Sequence, residues 1–388
     1  MHAHAKGPLG GVRVVEFAGL GPAPFGCMLL GDLGAEIIRI ERPESDFPLK
    51  LDPAKDILGR GRYSIPMNLK VSAANEVALK LIERADVLVE GYRPGVMERM
   101  GLGPDACFSR NRKLVYARMT GWGQHGPMAQ RAGHDMNYLA LSGVLDLIGR
   151  DGEKPLPPLN LVADMGGGGL FLAFGIVCAL YEAQHSGLGQ IVDAAMIEGA
   201  TTLASSILSL QAAGLANGPR GTNITDTGAH FNEVYETSDG LYVSVASLES
   251  RFYAALCRGA NLDPHDFQDQ MNSRRWPELK DKLAHVFKTK TRAEWAQIFD
   301  ELDACVEPVL SLKETFEHPH FKERGVYVER EGVRQPTALP RFSRTPGEIG
   351  RVPGTNGEDA AVALSRWGFT QDEIGEFQRS GAIVGGEP

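Results

Sequence analysis

Over the first 200 residues, short apolar runs alternate with amphipathic stretches. "VRVVEF" (12–17), "EIIRI" (36–40), "DVLVEG" (86–91), "KLVYARMTG" (113–121) and "QIVDAAM" (190–196) are rich in β-branched residues and predict strands. Residues 22–33, with small residues at close contacts, predict a helix. "SAANEVALKLIERA" (72–85) is amphipathic behind a Ser cap, and a long helix is expected near 168–185. This order predicts an α/β fold, a Rossmann-like large domain with a mostly parallel sheet covered by helices.

The pattern changes after residue 213. "GLANGPRGTNITDTGAH" (214–230) is rich in Gly, Asn and Thr and predicts a linker. "FNEVYETSDGLYVSVA" (231–246) alternates as a strand pair turning at Asp239-Gly240, and helices are expected near 249–260, 276–288 and 292–303. The expected organisation is a large domain over 1–213, the linker, a smaller α+β domain over 231–325 and a C-terminal segment, 326–388, with a final helix near 370–380.

A length of 388 residues suits two domains, and contents of 43% hydrophobic and 23% charged residues suit a soluble globular protein. The net charge of −9 argues against a general nucleic-acid or membrane-surface binder, so an anionic ligand must be met by a local basic cluster. Cysteines 27, 107, 178, 257 and 305 are scattered, with no C-x-x-C spacing. They imply a reducing compartment without a disulfide framework or zinc ribbon. "MHAHAKGPLGG" has no apolar signal core and no unbroken run of 18 apolar residues occurs, so the expectation is a cytoplasmic protein with no membrane partner.

Candidate chemistry is concentrated in a few stretches. "GLGPAPFG" after the first strand approaches a dinucleotide fingerprint, but Pro24 replaces the third glycine; close helix–sheet packing explains it better. Arg39 and Arg42, Arg60 and Arg62, and Arg93 and Arg99 form three pairs beside strand ends, where guanidinium groups suit phosphate capture. In "RAGHDMNYLALSG" His134 stands at the entrance of an apolar helical run. In "NLVADMGGGG" Asp164 precedes four glycines, with Asn160 four residues earlier. No His or Cys spacing makes a good metal site, and there is no G-x-S-x-G elbow. One imidazole and one carboxylate in unusual contexts suit proton transfer more than covalent attack.

These stretches, with "LGGVRVVEFAGLGPAPFGCMLLGDLGAEIIRIERP", "VLVEGYRPGVMERMGLGP", "YARMTGWGQHGP" and "EVYETSDGLYVSVASLESRFY", resemble the family III CoA-transferase superfamily and, within it, the α-methylacyl-CoA racemases. The resemblance runs over nearly the whole chain. It implies an acyl-CoA thioester substrate in fatty-acid metabolism, no metal or redox cofactor, and an interlocked homodimer whose C-terminal segment returns to the large, CoA-binding domain. It further implies that His134 and Asp164 are the catalytic acid–base pair, with Asn160 bonded to Asp164 and Glu249 partnering the histidine from the other chain. Arg39, Arg60, Gly61, Arg62, Tyr63, Arg93 and Arg99 would grip CoA. Gly133, Asp135, Met136, Asn137 and Tyr138 would also contact the substrate or its CoA. The packing of the adenine around Pro66 and Met67 departs from the family pattern. The alternatives are a CoA transferase, in which Asp164 forms a mixed anhydride, and a non-catalytic CoA-binding relative.

Overall fold

The computed structural model describes residues 7–43, 51–353, 357 and 360–383. Two compact units result: residues 1–142, 159–203 and 324–388 form the first, and 143–158 with 204–323 the second. The strip 143–158, which the sequence reading left in the large domain, thus belongs with the smaller unit, as do residues 204–213.

The first unit is built on six parallel strands: β1 Arg13–Phe17, β2 Glu36–Glu41, β3 Arg62–Pro66, β4 Val87–Glu90, β5 Val115–Thr120 and β6 Ile191–Ala195. Their order is β3-β2-β1-β4-β5-β6, with Val14 opposite both Ile37 and Val87. The order reverses direction between β1 and β4, and the carboxyl ends there open the crevice in which such sheets bind ligands. The helices are α1 Pro22–Asp32, α2 Ser72–Ile82, the single-turn α3 Val96–Arg99, α4 Pro104–Arg110, α5 Asp135–Ser142, α6 Phe171–Ser186 and α7 Met196–Leu203. Ser72 is the first helical residue of α2 and Val71 its uncapped N-terminus, so the expected Ser cap is not formed. The long helix begins earlier than expected, as a π-helix over Leu161–Leu170 that runs into α6.

The glycine run explains that geometry. A Cβ on Gly167 would lie 2.6 Å from the Ala200 nitrogen, and one on Gly169 2.5 Å from the Pro22 oxygen. Only hydrogen side chains let α7 and α1 press against both sides of this segment. Leu161–Ser186 has the length and mean hydropathy (1.8) of a membrane-crossing helix, and 39% of its apolar window is buried in the protein. Phe174 and Tyr181 on α6 are exposed.

The second unit holds α8 Ser205–Ala212, a three-stranded antiparallel sheet (β7 Asn232–Glu236, β8 Tyr242–Ala246, β9 Val306–Pro308), α9 Ser250–Gly259, α10 Trp276–Phe287, α11 Arg292–Asp300, and the short α12 Leu312–Thr315 and α13 Pro319–Glu323. Its core is aromatic, with Phe231, Tyr235, Phe287, Trp295 and Phe299 buried together. The chain then returns to the first unit through the hairpin β10 Tyr327–Arg330 and β11 Val333–Pro336, followed by α14 Ala360–Arg366 and α15 Gln371–Arg379. Ala363, Leu364, Ile374 and Phe377 join the core of α2 and β3.

Candidate active site

Asp164 lies in the first turn of the π-helix, four residues after its N-cap Asn160. It is not a helix cap. Its own N–H donates to Asp135 Oδ2 at 2.8 Å, and the Ala163 N–H donates to the same oxygen at 3.0 Å. A carboxylate from α5 therefore satisfies two of the N–H groups that a helix start leaves open. The Asp164 side chain faces the loop after β1: a Cβ on Gly21 would lie 3.3 Å from its Oδ2. Burial, and after it the like charge of Asp135, push the Asp164 carboxyl up to about 6, against the opposing charge of His134 and a hydrogen bond from the Asn160 side chain. Asn160 and His134 are thus both brought to Asp164, as the sequence suggested.

His134 stands exposed at the entrance of α5, one residue before the buried Asp135. Asn137 Oδ1 accepts the His134 N–H at 3.0 Å, and the His134 carbonyl accepts from the Asn137 and Tyr138 N–H groups. The turn is held from beneath by Tyr138, whose hydroxyl donates to the Gly133 carbonyl and whose ring meets Trp122 edge-on at 4.7 Å. Burial, with Asp164 and Asp135 facing it, pushes the Tyr138 phenol up to about 12. Gly133 has no room for a Cβ, which would fall 2.8 Å from both rings. Met136 is exposed beside this entrance. Of the residues expected to contact the substrate here, Asp135 and Tyr138 are buried, the Asp135 carboxylate spent on the π-helix and the Tyr138 hydroxyl on the Gly133 carbonyl.

A cleft of about 790 Å³ opens at the carboxyl ends of β2, β3 and β4. Arg42, Lys70 and Arg99 bring three cations to it, with Glu41, Tyr92 and Met67 also lining it. Arg99 is where the sequence placed it. Arg39 does not line the cleft; its Nε lies 3.1 Å from Glu41 Oε1. Arg93 is exposed outside the lining.

The segment 60–63 requires correction. Arg60 is 4% exposed, clamped by Asp32, Gln335 Oε1 (2.8 Å) and the Pro336 carbonyl (2.9 Å). Arg62 is 2% exposed and pairs with Glu16 at 2.9 Å, its other N–H groups donating to the Leu58, Arg60 and Pro24 carbonyls. Gly61 donates its N–H to the Arg351 carbonyl at 2.8 Å. The Tyr63 ring lies under the Arg351 and Arg366 guanidinium groups. The Arg60 and Arg62 side chains thus fasten β3 to the core and to the C-terminal segment and are not free to grip CoA. Arg42, already paired with Arg39 in the sequence, takes their place, while Lys70 and Tyr92 carried no signal beyond lying just after strands. Glu249, on the second unit, is the exposed N-cap of α9, yet its carboxylate caps no helix N–H. Among the described residues no group of three or more His, Cys, Asp or Glu is placed to hold a metal ion.

Residues 9–360 match the profile of CoA-transferase family III. The chain belongs to that family. Alpha-methylacyl-CoA racemase from Mus musculus is 47% identical over 369 residues, 94% of this chain and 95% of the mouse protein. The Homo sapiens protein of the same name is 44% identical over 370 residues with the same coverage. The crystal structure of a CAIB/BAIF family protein from Brucella suis superposes with a TM-score of 0.78 at 26% identity, covering 93% of this chain and all of that one. These likenesses span both units and the residues around His134 and Asp164.

Proposed function

We propose that this family III member is an isomerase that interconverts (R)- and (S)-2-methylacyl-CoA thioesters by moving the C2 proton through an enolate. The observation that carries the reading is the approach of His134, at the entrance of α5, to Asp164, in the first turn of the π-helix, close enough for their charges to interact. The identity to two racemases supports it.

Inverting a carbon needs a base on one face and an acid on the other, and the two groups exchange roles with the configuration of the substrate. A carboxyl near pKa 6 serves both roles at neutral pH. It is protonated in about one molecule in ten at pH 7, against fewer than about one in a thousand for an ordinary aspartate. The enolate oxygen would be met by the Asp135 and Met136 N–H groups at the positive end of α5. The three cations of the cleft would hold the phosphates of CoA, and the half-buried Tyr92 ring offers surface for the adenine. CoA is part of the substrate, and the proton shuttle draws on no separate cofactor.

The reading extends to a homodimer in which Glu249 of one chain reaches His134 of the other and fixes its tautomer. Its support is the idle carboxylate of Glu249 and the exposed Phe174 and Tyr181 on α6. A heterodimer of His134→Ala and Glu249→Ala chains then retains about half of wild-type activity, because one site carries both lesions and the other none.

Incubation of a saturated 2-methylacyl-CoA with the protein in heavy water tests the function. Deuterium at C2 with loss of optical purity, in the absence of an acceptor acid, is expected. Transfer of CoA to a free acid, releasing the 2-methyl acid without C2 exchange, would instead indicate a transferase with Asp164 as nucleophile. Neither reaction would leave binding alone.

A further inference from the structure

The buried Asp135 is unlike its neighbours at the α5 entrance. His134, Met136 and Asn137 are exposed, whereas the Asp135 side chain turns inward and is 7% exposed. Its Oδ2 accepts from two consecutive backbone N–H groups, those of Ala163 and Asp164. Its Oδ1 is buried with no hydrogen-bond partner among the described residues. No arginine or lysine pairs with it among those residues, whereas the other buried carboxylates described, Glu16, Asp32, Glu90 and Glu233, each carry an arginine. An aspartate buried without a cation is costly, because nothing replaces the water its charge has lost. Such a cost is usually retained where it performs a task.

We propose that the Asp135 carboxylate is a positioning residue for Asp164: it anchors the first turn of the π-helix through two backbone N–H groups and keeps an unneutralised negative charge beside the catalytic carboxyl. This rests on the reading of Asp164 as an acid–base group. The two roles need the same atoms. Binding the Asp164 N–H fixes where the Asp164 side chain starts, and thus where its oxygens stand relative to the Gly21 loop. The charge at that anchor opposes ionisation of Asp164 and holds a proton on it nearer to neutral pH. A neutral anchor, such as an asparagine or serine oxygen, would satisfy the same N–H groups without doing so.

The other groups around Asp164 do not supply this effect. His134, when charged, and the Asn160 side chain both act in the opposite direction, favouring the carboxylate. Tyr138 faces both carboxylates as a neutral phenol. The segments of α1 and α7 packed on the same turn present Gly21, Pro22, Met196 and Gly199, none of them ionisable. Burial is the larger cause, and Asp135 is the charge that adds to it.

The test is a carboxyl titration of Asp164 by carbon NMR in the full-length protein, with the signal assigned by its loss in Asp164→Asn. Asp135→Asn should move the midpoint down by about one unit, and the acid limb of the pH profile for C2 exchange should move with it. Asp135→Glu, which keeps the charge but displaces the anchor, should hold the midpoint high while kcat falls. Should Asp135→Asn not fold, Asp135→Ser carries the same comparison with a smaller neutral acceptor. An unchanged Asp164 midpoint in the neutral variants overturns the proposal, as does an equal fall in Asp135→Glu. The functional reading fails separately, if the wild-type protein exchanges no C2 proton, and the titration then still decides the role of Asp135.

Discussion

Gly199 of α7 lies against Gly167 of the π-helix so closely that a Cβ on Gly199 would fall 1.8 Å from the Gly167 carbonyl oxygen. The contact is backbone on backbone, and it fixes the distance between α7 and the segment that carries Asp164. No side-chain rotation relieves the clash. Gly199→Ala should therefore lose about 3 kcal/mol of stability by overpacking, read as a lower urea midpoint. The remaining folded enzyme should also show a reduced kcat, because the π-helix must shift. An unchanged midpoint would contradict the backbone-on-backbone contact between α7 and the π-helix.

Arg62 and Arg99 separate two uses of a guanidinium group that are indistinguishable in sequence. Arg62→Leu strands the fully buried Glu16 and should cost about 3–5 kcal/mol. Arg99→Leu should leave the urea midpoint unchanged and weaken the binding of free CoA by about 1.5–3 kcal/mol, through loss of a charge-assisted contact. Calorimetric titration with CoA and urea unfolding of both variants check the pair. Normal stability in Arg62→Leu, or normal CoA affinity in Arg99→Leu, contradicts the assignment of that residue.

His230 predicts how stability depends on pH. It is fully buried, its Nε2 lies 2.7 Å from the Tyr253 hydroxyl, and its Nδ1 has no partner among the described residues. Burial first, then the charges of Arg275 and Lys280, push its pKa down to about 4 from 6.5. The folded state thus binds this proton less well than the unfolded chain. Stability from this residue is complete above pH 6.5 and is lost as the pH falls from 6.5 toward 4, amounting to about 3 kcal/mol over the window. His230→Gln should flatten that part of the curve in urea unfolding between pH 7.5 and 4.5. A wild-type midpoint that does not fall over this range contradicts the buried neutral state.

The sheet was legible because strands covered on both faces are nearly continuous apolar runs, as at Val87–Glu90 and Val115–Thr120. The start of the π-helix was not. Four glycines and an aspartate are poor helix formers, and what holds them helical is distant in sequence: the Asp135 carboxylate and the close approach of Gly199. His134 and Asp164 stood out because each is a polar group in apolar surroundings. The error at 60–63 has the same root as the missed Lys70. A strand's sequence does not say which partner its charges meet, and the partners of Arg60 and Arg62 lie at Asp32, Glu16 and Gln335. Lys70 reaches the cleft only because the chain turns after β3.

The central claim is that His134 and Asp164 act on opposite faces of C2, and enantiomer-resolved deuterium exchange tests it most directly. Each pure enantiomer of one 2-methylacyl-CoA is incubated in heavy water with wild type, His134→Ala and Asp164→Ala, and deuterium at C2 is followed by mass spectrometry. Wild type should exchange both enantiomers. Each variant should lose inversion and should exchange only the enantiomer whose proton faces the surviving base, so that the two variants retain opposite enantiomers. Exchange of both enantiomers at the wild-type rate in either variant, or loss of the same enantiomer in both, would contradict the two-base account.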